Sequence, residues 1–434
     1  MRYIIEYVNT YFTSPLVPAV LIVCGFYITA KLRVLYLTKF RVIARSLTRK
    51  DPASKISPFR TVTVALAGTL GVGNILGVAY AISAGGPGAI FWMWIGALVS
   101  MLIKYCEVVL AVKHRKTAPD GHHYGGAMYY MKSKKTALLF AFLCVLASFT
   151  LGNLMQMNAL SESLDATFRF PKLICAALAS VFIFTVICKD FMHLSNVTMV
   201  LIPFACIAYI LISLYVIIEN ICLIPTVLAR IIKSAFSSRS AGAGAMGYTI
   251  MSAFRHGISK GLITNEAGCG TAPMAHAESD TDSPVEQGFW GIFEVFADTI
   301  ILCSASAFVI LLSFDKNSTL EGMELVIASY SVSLGSVTGY AMSIFILIFA
   351  LSTVIGWAHY GRISLSYITE SKKIQKLYVL LYSFCCFLGV FVSSNTVWTL
   401  TDIVIGIMTL INMCCIMKRF KEVSSLTDSY FKGP

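Results

Sequence analysis

The sequence predicts an all-α polytopic membrane protein with about eleven transmembrane helices, ten of them in two five-helix inverted repeats behind one extra N-terminal helix. Three observations carry that prediction. The chain has 434 residues, 57% hydrophobic and only 13% charged, whereas a soluble domain holds roughly 25% charged and about 45–50% apolar residues. Apolar runs recur at the ~20-residue length that a bilayer-spanning helix needs. Two of these runs, at matching places in the two halves of the chain, are broken by glycine and polar residues.

In order, the runs are 14–30, 58–83, 88–112, 137–163, 172–189, 196–219, 242–268, 288–313, 338–361, 377–394 and 396–417. Each should be helical, because lipid offers no partner for backbone N–H and C=O groups. The start, MRYIIEYVNTYFTSP, lacks the charged n-region and small-residue cleavage site of a signal peptide, so the first run is read as a retained helix. The segment 220–240 is too interrupted to span. Its Ile231, Ile232, Ala235 and Phe236 against Arg230, Lys233 and Arg239 suggest a short helix in the outer interface. The expected organisation is an extra helix and basic loop at 1–57, a first repeat at 58–219, the interfacial linker 220–240, a second repeat at 241–418 and a tail at 419–434.

Lys and Arg number 34 against 22 Asp and Glu, a net charge of +12. The excess sits in short loops. Lys31, Arg33, Lys39, Arg41, Arg45, Arg49, Lys50, Lys55 and Arg60 follow the first run against Asp51 alone, and Lys113, Arg115, Lys116, Lys132, Lys134 and Lys135 follow the third. Lys189, Arg362, Lys372, Lys373, Lys376, Lys418, Arg419 and Lys421 follow later odd-numbered runs. The positive-inside rule then places the N-terminus outside and the C-terminus in the cytoplasm. Two loops dissent, the acidic seventh exit and the basic sixth. No basic domain is left over for nucleic acid, and no obligate protein partner is evident. The thirteen cysteines lie mostly in apolar runs and form no pair of Cys-x-x-Cys motifs, so they read as small buried hydrophobes rather than metal ligands.

The chemistry concentrates in the two interrupted runs. The second reads ALAGTLGVGNILGVAYAISAGGPG, with Gly68, Gly71, Gly73 and Gly77 beside Thr69 and Asn74. Such spacing fits close helix packing. It equally fits a helix unwound at mid-membrane, which is tolerated only where it lines a cavity or is buried in protein. The seventh run and its exit carry Arg255, His256, Lys260, Asn265 and Glu266 among glycines, and ionisable groups at that depth are functional-site candidates by default. Paired interrupted helices at matching positions point to a secondary transporter with a midplane site. Gln156 and Asn158 in the fourth run, and Ser352, Thr353 and Trp357 in the ninth, are further polar or ring candidates. Lys104 and Glu107, at i and i+3, read as a structural pair. Glu266 with His256 is the sole pair that could serve an enzyme, so no enzymatic activity is expected.

These stretches resemble the alanine or glycine:cation symporter family, sodium-coupled carriers of small amino acids. The resemblance runs in collinear order from about residue 14 to 417, through 65–98, KYCEVVLAVKHR (104–115), GHHYGGAMYYM (121–131), LASFTLGNLMQMNAL (146–160), ISKGLITNEAGCGTAPMAHA (258–277), LSTVIGWAHYG (351–361) and VWTLTDIVIGIMTLIN (397–412). It implies a leucine-transporter-like fold. It implies an amino-acid carboxylate near Gly73 and Asn74, with Thr69, Gln156, Ile263, Asn265, Thr353 and Trp357 on substrate positions. By analogy with neurotransmitter:sodium symporters, the coupling ion Na+ would take carbonyls of Ala67 and Leu70 and hydroxyls of Ser352 and Thr353. The expected activity is Na+-coupled symport of small neutral amino acids, alanine or glycine and D-alanine among them, in the cell inner membrane. A proton-coupled or broader-specificity carrier is the alternative.

Three stretches depart from the family pattern. Ile263-Thr264-Asn265-Glu266 stands where Phe-Ser-Asn-Glu is common, His359-Tyr360-Gly361-Arg362 where Tyr-Tyr-Gly-Glu is usual, and Ala127 where a proline precedes the methionine. Loss of the ring at 263 leaves the choice between alanine and a larger substrate open.

Overall fold

A computed structural model describes residues 13–48, 56–119, 121–188, 191–236, 249–314 and 319–432. Arg49, Lys50, Asp51, Lys55, Lys189 and Arg239, and positions 242–248 of the seventh expected span, lie outside the described residues. Among the described residues, seven helical stretches are long and apolar enough to cross a membrane, including Gly88–Lys113, Lys134–Phe168 and Pro284–Ser313. The chain is a multi-pass membrane protein.

The helices follow the apolar runs. They are α1 Ser14–Lys31, α2 Pro58–Thr69, α3 Leu76–Gly85, α4 Gly88–Lys113, α5 Lys134–Phe149, α6 Met155–Phe168, α7 Lys172–Ile187 and α8 Phe191–Glu219. Then come α9 Ile224–Ala235, α10 Ile250–Asn265, α11 Pro284–Val295, α12 Ser304–Ser313, α13 Gly322–Leu334, α14 Thr338–Ile368, α15 Lys372–Gly389 and α16 Ser394–Lys432. The short helix expected within 220–240 is α9, whose Ile231 and Ala235 are buried while Ile232 and Phe236 are exposed. It rests on α4, where Trp92 Nε1 donates to the Ala235 carbonyl at 3.3 Å. Helix α13 and the helical course of α16 to Lys432 were outside the predicted spans. The extension of α16 docks on the bundle: Tyr105 meets Thr427 at 2.7 Å and Tyr430 donates to Glu286 at 3.0 Å.

Both interrupted runs are broken where glycine allows it. Ser57 caps α2 with Pro58 in its first turn, and the helix stops at Thr69. Gly71 is extended, Val72–Asn74 make one 3₁₀ turn, and α3 begins at Leu76. In the second half α10, capped by Thr249, ends as Glu266 turns left-handed at φ 51°. That conformation is uncommon for a residue with a Cβ, and Gly268 and Gly270 continue it at φ 87° and 79°. A four-residue helical turn, Pro273–His276, follows. The two breaks are neighbours, since a Cβ at Gly73 would lie 3.3 Å from Thr264 Cγ2. Helix α14 lies against α2 through Gly356 and Gly68, where a Cβ at 356 would come 2.9 Å from the Gly68 nitrogen.

Two further helices depart from α geometry at the same level. Thr150–Leu154, between α5 and α6, and Phe296–Cys303, between α11 and α12, are π-helical. Such turns recur at functional sites because they free carbonyls and re-aim side chains.

Candidate functional site

The first break meets two side chains. Gln156, two residues past the π-segment of α5–α6, accepts from the Val72 amide through Oε1 at 3.2 Å, and its Nε2 donates to the Leu151 carbonyl at 3.1 Å. Thr353, on α14, donates from Oγ1 to the Leu70 carbonyl at 3.3 Å. Gly71 lies between them, for a Cβ there would stand 2.8 Å from Thr353 Oγ1 and 2.9 Å from Gln156 Oε1. Unwinding at 70–75 exposes a carbonyl and an amide that an intact helix would pair internally, and each finds a side chain that a ligand could replace.

Thr353 and Leu70 meet at this α2–α14 contact, and Ser352 is the residue before Thr353 on α14. The Ser352 hydroxyl gives its proton to its own helix, at Ile348 O (2.8 Å) and Phe349 O (3.0 Å), which leaves oxygen lone pairs for a hard cation. A Cβ at Gly356 would lie 3.3 Å from the Ala67 carbonyl carbon. Thr69 is set apart, because its hydroxyl donates back to Ala65 O at 3.3 Å.

Asn74 leads from the first break to a residue that sequence reasoning missed. Its Nδ2 donates to Asp298 Oδ1 at 2.7 Å, with the Asp298 carbonyl at 3.3 Å and Cys303 Sγ at 3.4 Å. Thr299 Oγ1 donates to Asp298 Oδ2 at 2.7 Å, and Asn265 Nδ2, at the second break, donates to Thr299 Oγ1 at 3.1 Å. Asn74, Asp298, Thr299 and Asn265 thus form one chain between the two breaks, through the π-segment 296–303. All are buried, Asp298 completely. An acid inside the apolar run 288–313, which also holds Glu294, is the signal that would have found it.

Below the second break stands a set of buried carboxylates. Glu266 accepts from Trp357 Nε1 at 2.9 Å and from Thr271 Oγ1 at 2.5 Å. Glu107 accepts from the Gly270 amide at 2.8 Å and from Asn412. The expected Lys104–Glu107 pair is not the one formed. Lys104 Nζ instead meets Glu294 Oε1 at 3.3 Å, and Glu294 Oε2 meets His276 Nε2 at 3.0 Å. An i,i+3 neighbour loses here because the bundle carries a carboxylate from α11 onto Lys104 and engages Glu107 with the glycine turn. Glu266 and His256 stay apart: they share α10 and its end, ten residues and hence about 15 Å along the axis. His256 packs at Gly85. Lys260, also on α10, pairs with Asp402 at 3.6 Å over the Trp398 ring.

Trp357 is buried against Gly152, with its indole N–H committed to Glu266. Ile263 lies on another side of α10, lining a narrow crevice with Val17 of α1 and Ile405 and Gly406 of α16. Asn158 Nδ2 donates to the Val392 carbonyl at 2.8 Å, a helix–helix bond away from the breaks. The departures at 359 and 362 face a larger cavity of about 460 Å³, lined also by Tyr129, Glu278, Ile355 and Ala358. There His359 Nε2 lies 2.8 Å from Glu278 Oε1, and Arg362 Nη1 donates to Ile187 O at 2.9 Å. A cation on the last carbonyls of α7 sits at the negative end of that helix.

Over residues 1–433 the chain matches the model of the sodium:alanine symporter family. An uncharacterized transporter of Haemophilus influenzae is 36% identical over 94% of this chain and 91% of its own length. The sodium/alanine symporter AgcS of Methanococcus maripaludis is 32% identical over 98% of this chain and 96% of its own. The probable sodium/glutamine symporter GlnT of Bacillus subtilis is 32% identical over 99% and 91%. Among solved structures, a manganese transporter of Eremococcus coleocola has the same fold, with a TM-score of 0.53 over 82% of this chain and 76% of that one at 13% identity.

Proposed function

Because the chain belongs to the sodium:alanine symporter family, a family of transporters and not of enzymes, we propose that it couples the inward movement of Na+ to that of a small neutral amino acid. Cation-coupled amino-acid symport is the family's activity; the ion and the substrate are the finer reading. The observation that carries it is the convergence on the first break, where Gln156 holds the Val72 amide and Thr353 holds the Leu70 carbonyl. Amides at a helix break suit a carboxylate, and freed carbonyls with hydroxyls suit Na+.

In this reading Na+ lies among Ala67, Leu70, Ser352 and Thr353, and fixes the 70–75 segment. The amino acid then takes its place beside Gly73, Asn74 and Gln156, with the N-terminus outside and the C-terminus in the cytoplasm. By linkage, each ligand tightens the other. Alanine and glycine are the favoured substrates; the relative described as a sodium/alanine symporter supports the first. The relative described as a probable sodium/glutamine symporter supports a broader range as the second reading.

The test is uptake of radiolabelled alanine into proteoliposomes under an inward Na+ gradient and then an equal choline gradient. Accumulation with Na+ alone is expected, with competition by glycine, D-alanine, serine and glutamine ranking the substrates. Equal uptake in both conditions would overturn Na+ coupling, and a proton gradient would then be the next driving force to impose.

A further inference from the structure

The cavity of about 460 Å³ at one end of α14 opens away from the first break. Thr353, which meets that break, and Arg362, which lines the cavity, share one unbroken helix. The nine residues from one to the other turn an α-helix by about half a circle, so the two lie on opposite sides of α14. The cavity walls are of two kinds. Val186, Ile355 and Ala358 are apolar, while Glu278, His359 and Arg362 carry polar groups. Ser366 and Glu370, both exposed, mark the mouth.

Glu278 is the member that points to a ligand. It is only 1% exposed, and its Oε1 meets His359 Nε2 at 2.8 Å. Its Oε2 has no hydrogen-bond partner among the described residues, with His122 Nε2 still 3.8 Å away. A buried carboxylate oxygen ordinarily has a donor, and here the space beside it is open to receive one. Arg362 stands one turn past His359, where i,i+3 side chains are neighbours. Its Nη1 donates to the Ile187 carbonyl at 2.9 Å, and a guanidinium has five donors in a planar fork that suits carboxylates. An unsatisfied acceptor and a cationic fork thus share one cavity with apolar walls, about a helical turn apart.

We infer that this cavity binds a free α-amino acid with a large apolar side chain, its ammonium on Glu278 and its carboxylate on Arg362. The two charges of such a molecule are adjacent, as the two residues are. A ligand with either charge alone would leave one of the residues unanswered. The volume falls within the roughly 300–1,000 Å³ of small-molecule sites, more than alanine would fill. Val186, Ile355 and Ala358 offer a longer side chain an apolar wall. None of these residues belongs to the proposed Na+ or substrate positions, so the site stands or falls apart from the symport reading. Its ligand would join α14 to the stretch that follows the second break.

The experiment is saturation-transfer NMR of L-leucine with the full chain, purified in detergent, in choline buffer without Na+. Wild type should bind leucine, with isocaproate and isoamylamine, which each keep a single charge, competing roughly tenfold more weakly. Glu278→Gln and Arg362→Gln should each weaken leucine binding roughly tenfold. Gln156→Ala/Thr353→Val, altered at the first break, should leave that binding in place. The analogue series needs no variant, so it decides the matter even where Glu278→Gln fails to fold. No leucine binding by wild type, equal competition by the singly charged analogues, or binding lost only in the break variant would overturn the site. Absence of Na+-driven alanine uptake beside intact leucine binding would instead sink the symport reading and leave this site standing.

Discussion

Gly152 lies directly beneath Trp357: a Cβ at 152 would come 2.2 Å from Trp357 Cβ and 2.4 Å from its Cγ. The absence of a side chain in the π-segment of α5–α6 is what lets α14 seat its indole at the level of the second break and donate to Glu266. Gly152→Ala should therefore push Trp357 off Glu266. Overpacking of this kind costs about 1–3 kcal/mol, so the melting temperature in detergent should fall and uptake should drop together. A Gly152→Ala protein with unchanged stability and uptake would show that the contact is slack.

Gln156 satisfies a backbone amide as well as lining the break. In Gln156→Ala the Val72 N–H loses its partner, and an unsatisfied buried donor costs about 1–3 kcal/mol. Substrate can replace the missing acceptor, so saturating alanine should protect the variant against thermal unfolding more than it protects wild type. Equal protection would argue that the amino acid does not approach Val72.

Ile263 separates packing from specificity. It faces α1 and α16 across a crevice too small for a ring. Ile263→Phe should lower stability by about 1–3 kcal/mol and leave the order of competition among alanine, glycine and glutamine unchanged. A reordered series, read from inhibition constants in the uptake assay, would bring residue 263 back to the substrate.

The Lys104–Glu294 pair is fully buried. Removing one partner of such a pair strands a charge at about 3–5 kcal/mol, while neutralising both is far milder. Lys104→Met should nearly abolish folded protein in the membrane. Lys104→Met/Glu294→Gln, which keeps an acceptor for His276, should recover at least half of it, as size-exclusion profiles of the solubilised protein would show.

Thr353→Val removes the hydroxyl from the Leu70 carbonyl while keeping the volume. The Na+ concentration for half-maximal uptake should rise roughly tenfold, about 1.4 kcal/mol, with the apparent alanine affinity following because the two are linked. Alanine affinity that falls with no change in Na+ dependence would move Thr353 from the ion to the substrate.

Hydropathy and glycine spacing were enough to place helices on the apolar runs and to find both breaks, because lipid imposes one secondary structure on each crossing. Gln156 and Thr353 could be singled out as polar groups in apolar runs. Asp298 was passed over although an acid in an apolar run is such a signal, because the two acids Glu294 and Asp298 barely lower the hydropathy of a run as rich in Phe, Ile and Leu as 288–313. Partners were the least legible. Lys104 has a carboxylate one turn away in sequence, yet it pairs with Glu294, 190 residues on, and only the packing of α11 on α4 decides that. Helix α13 was missed because its polar residues match no spanning pattern.

A π-turn holds one more residue per turn than the α-helix around it. Everything after Leu154 on α6, Gln156 included, therefore owes its azimuth to the number of residues between Thr150 and Leu154, whatever their identity. Deleting any one of them would re-wind the segment as α-helix and swing Gln156 by about 100°, away from Val72, with every other residue unchanged. Substitutions there are a question of fit, but the count is a setting of phase, and insertions or deletions at this point are the changes that the helix cannot absorb.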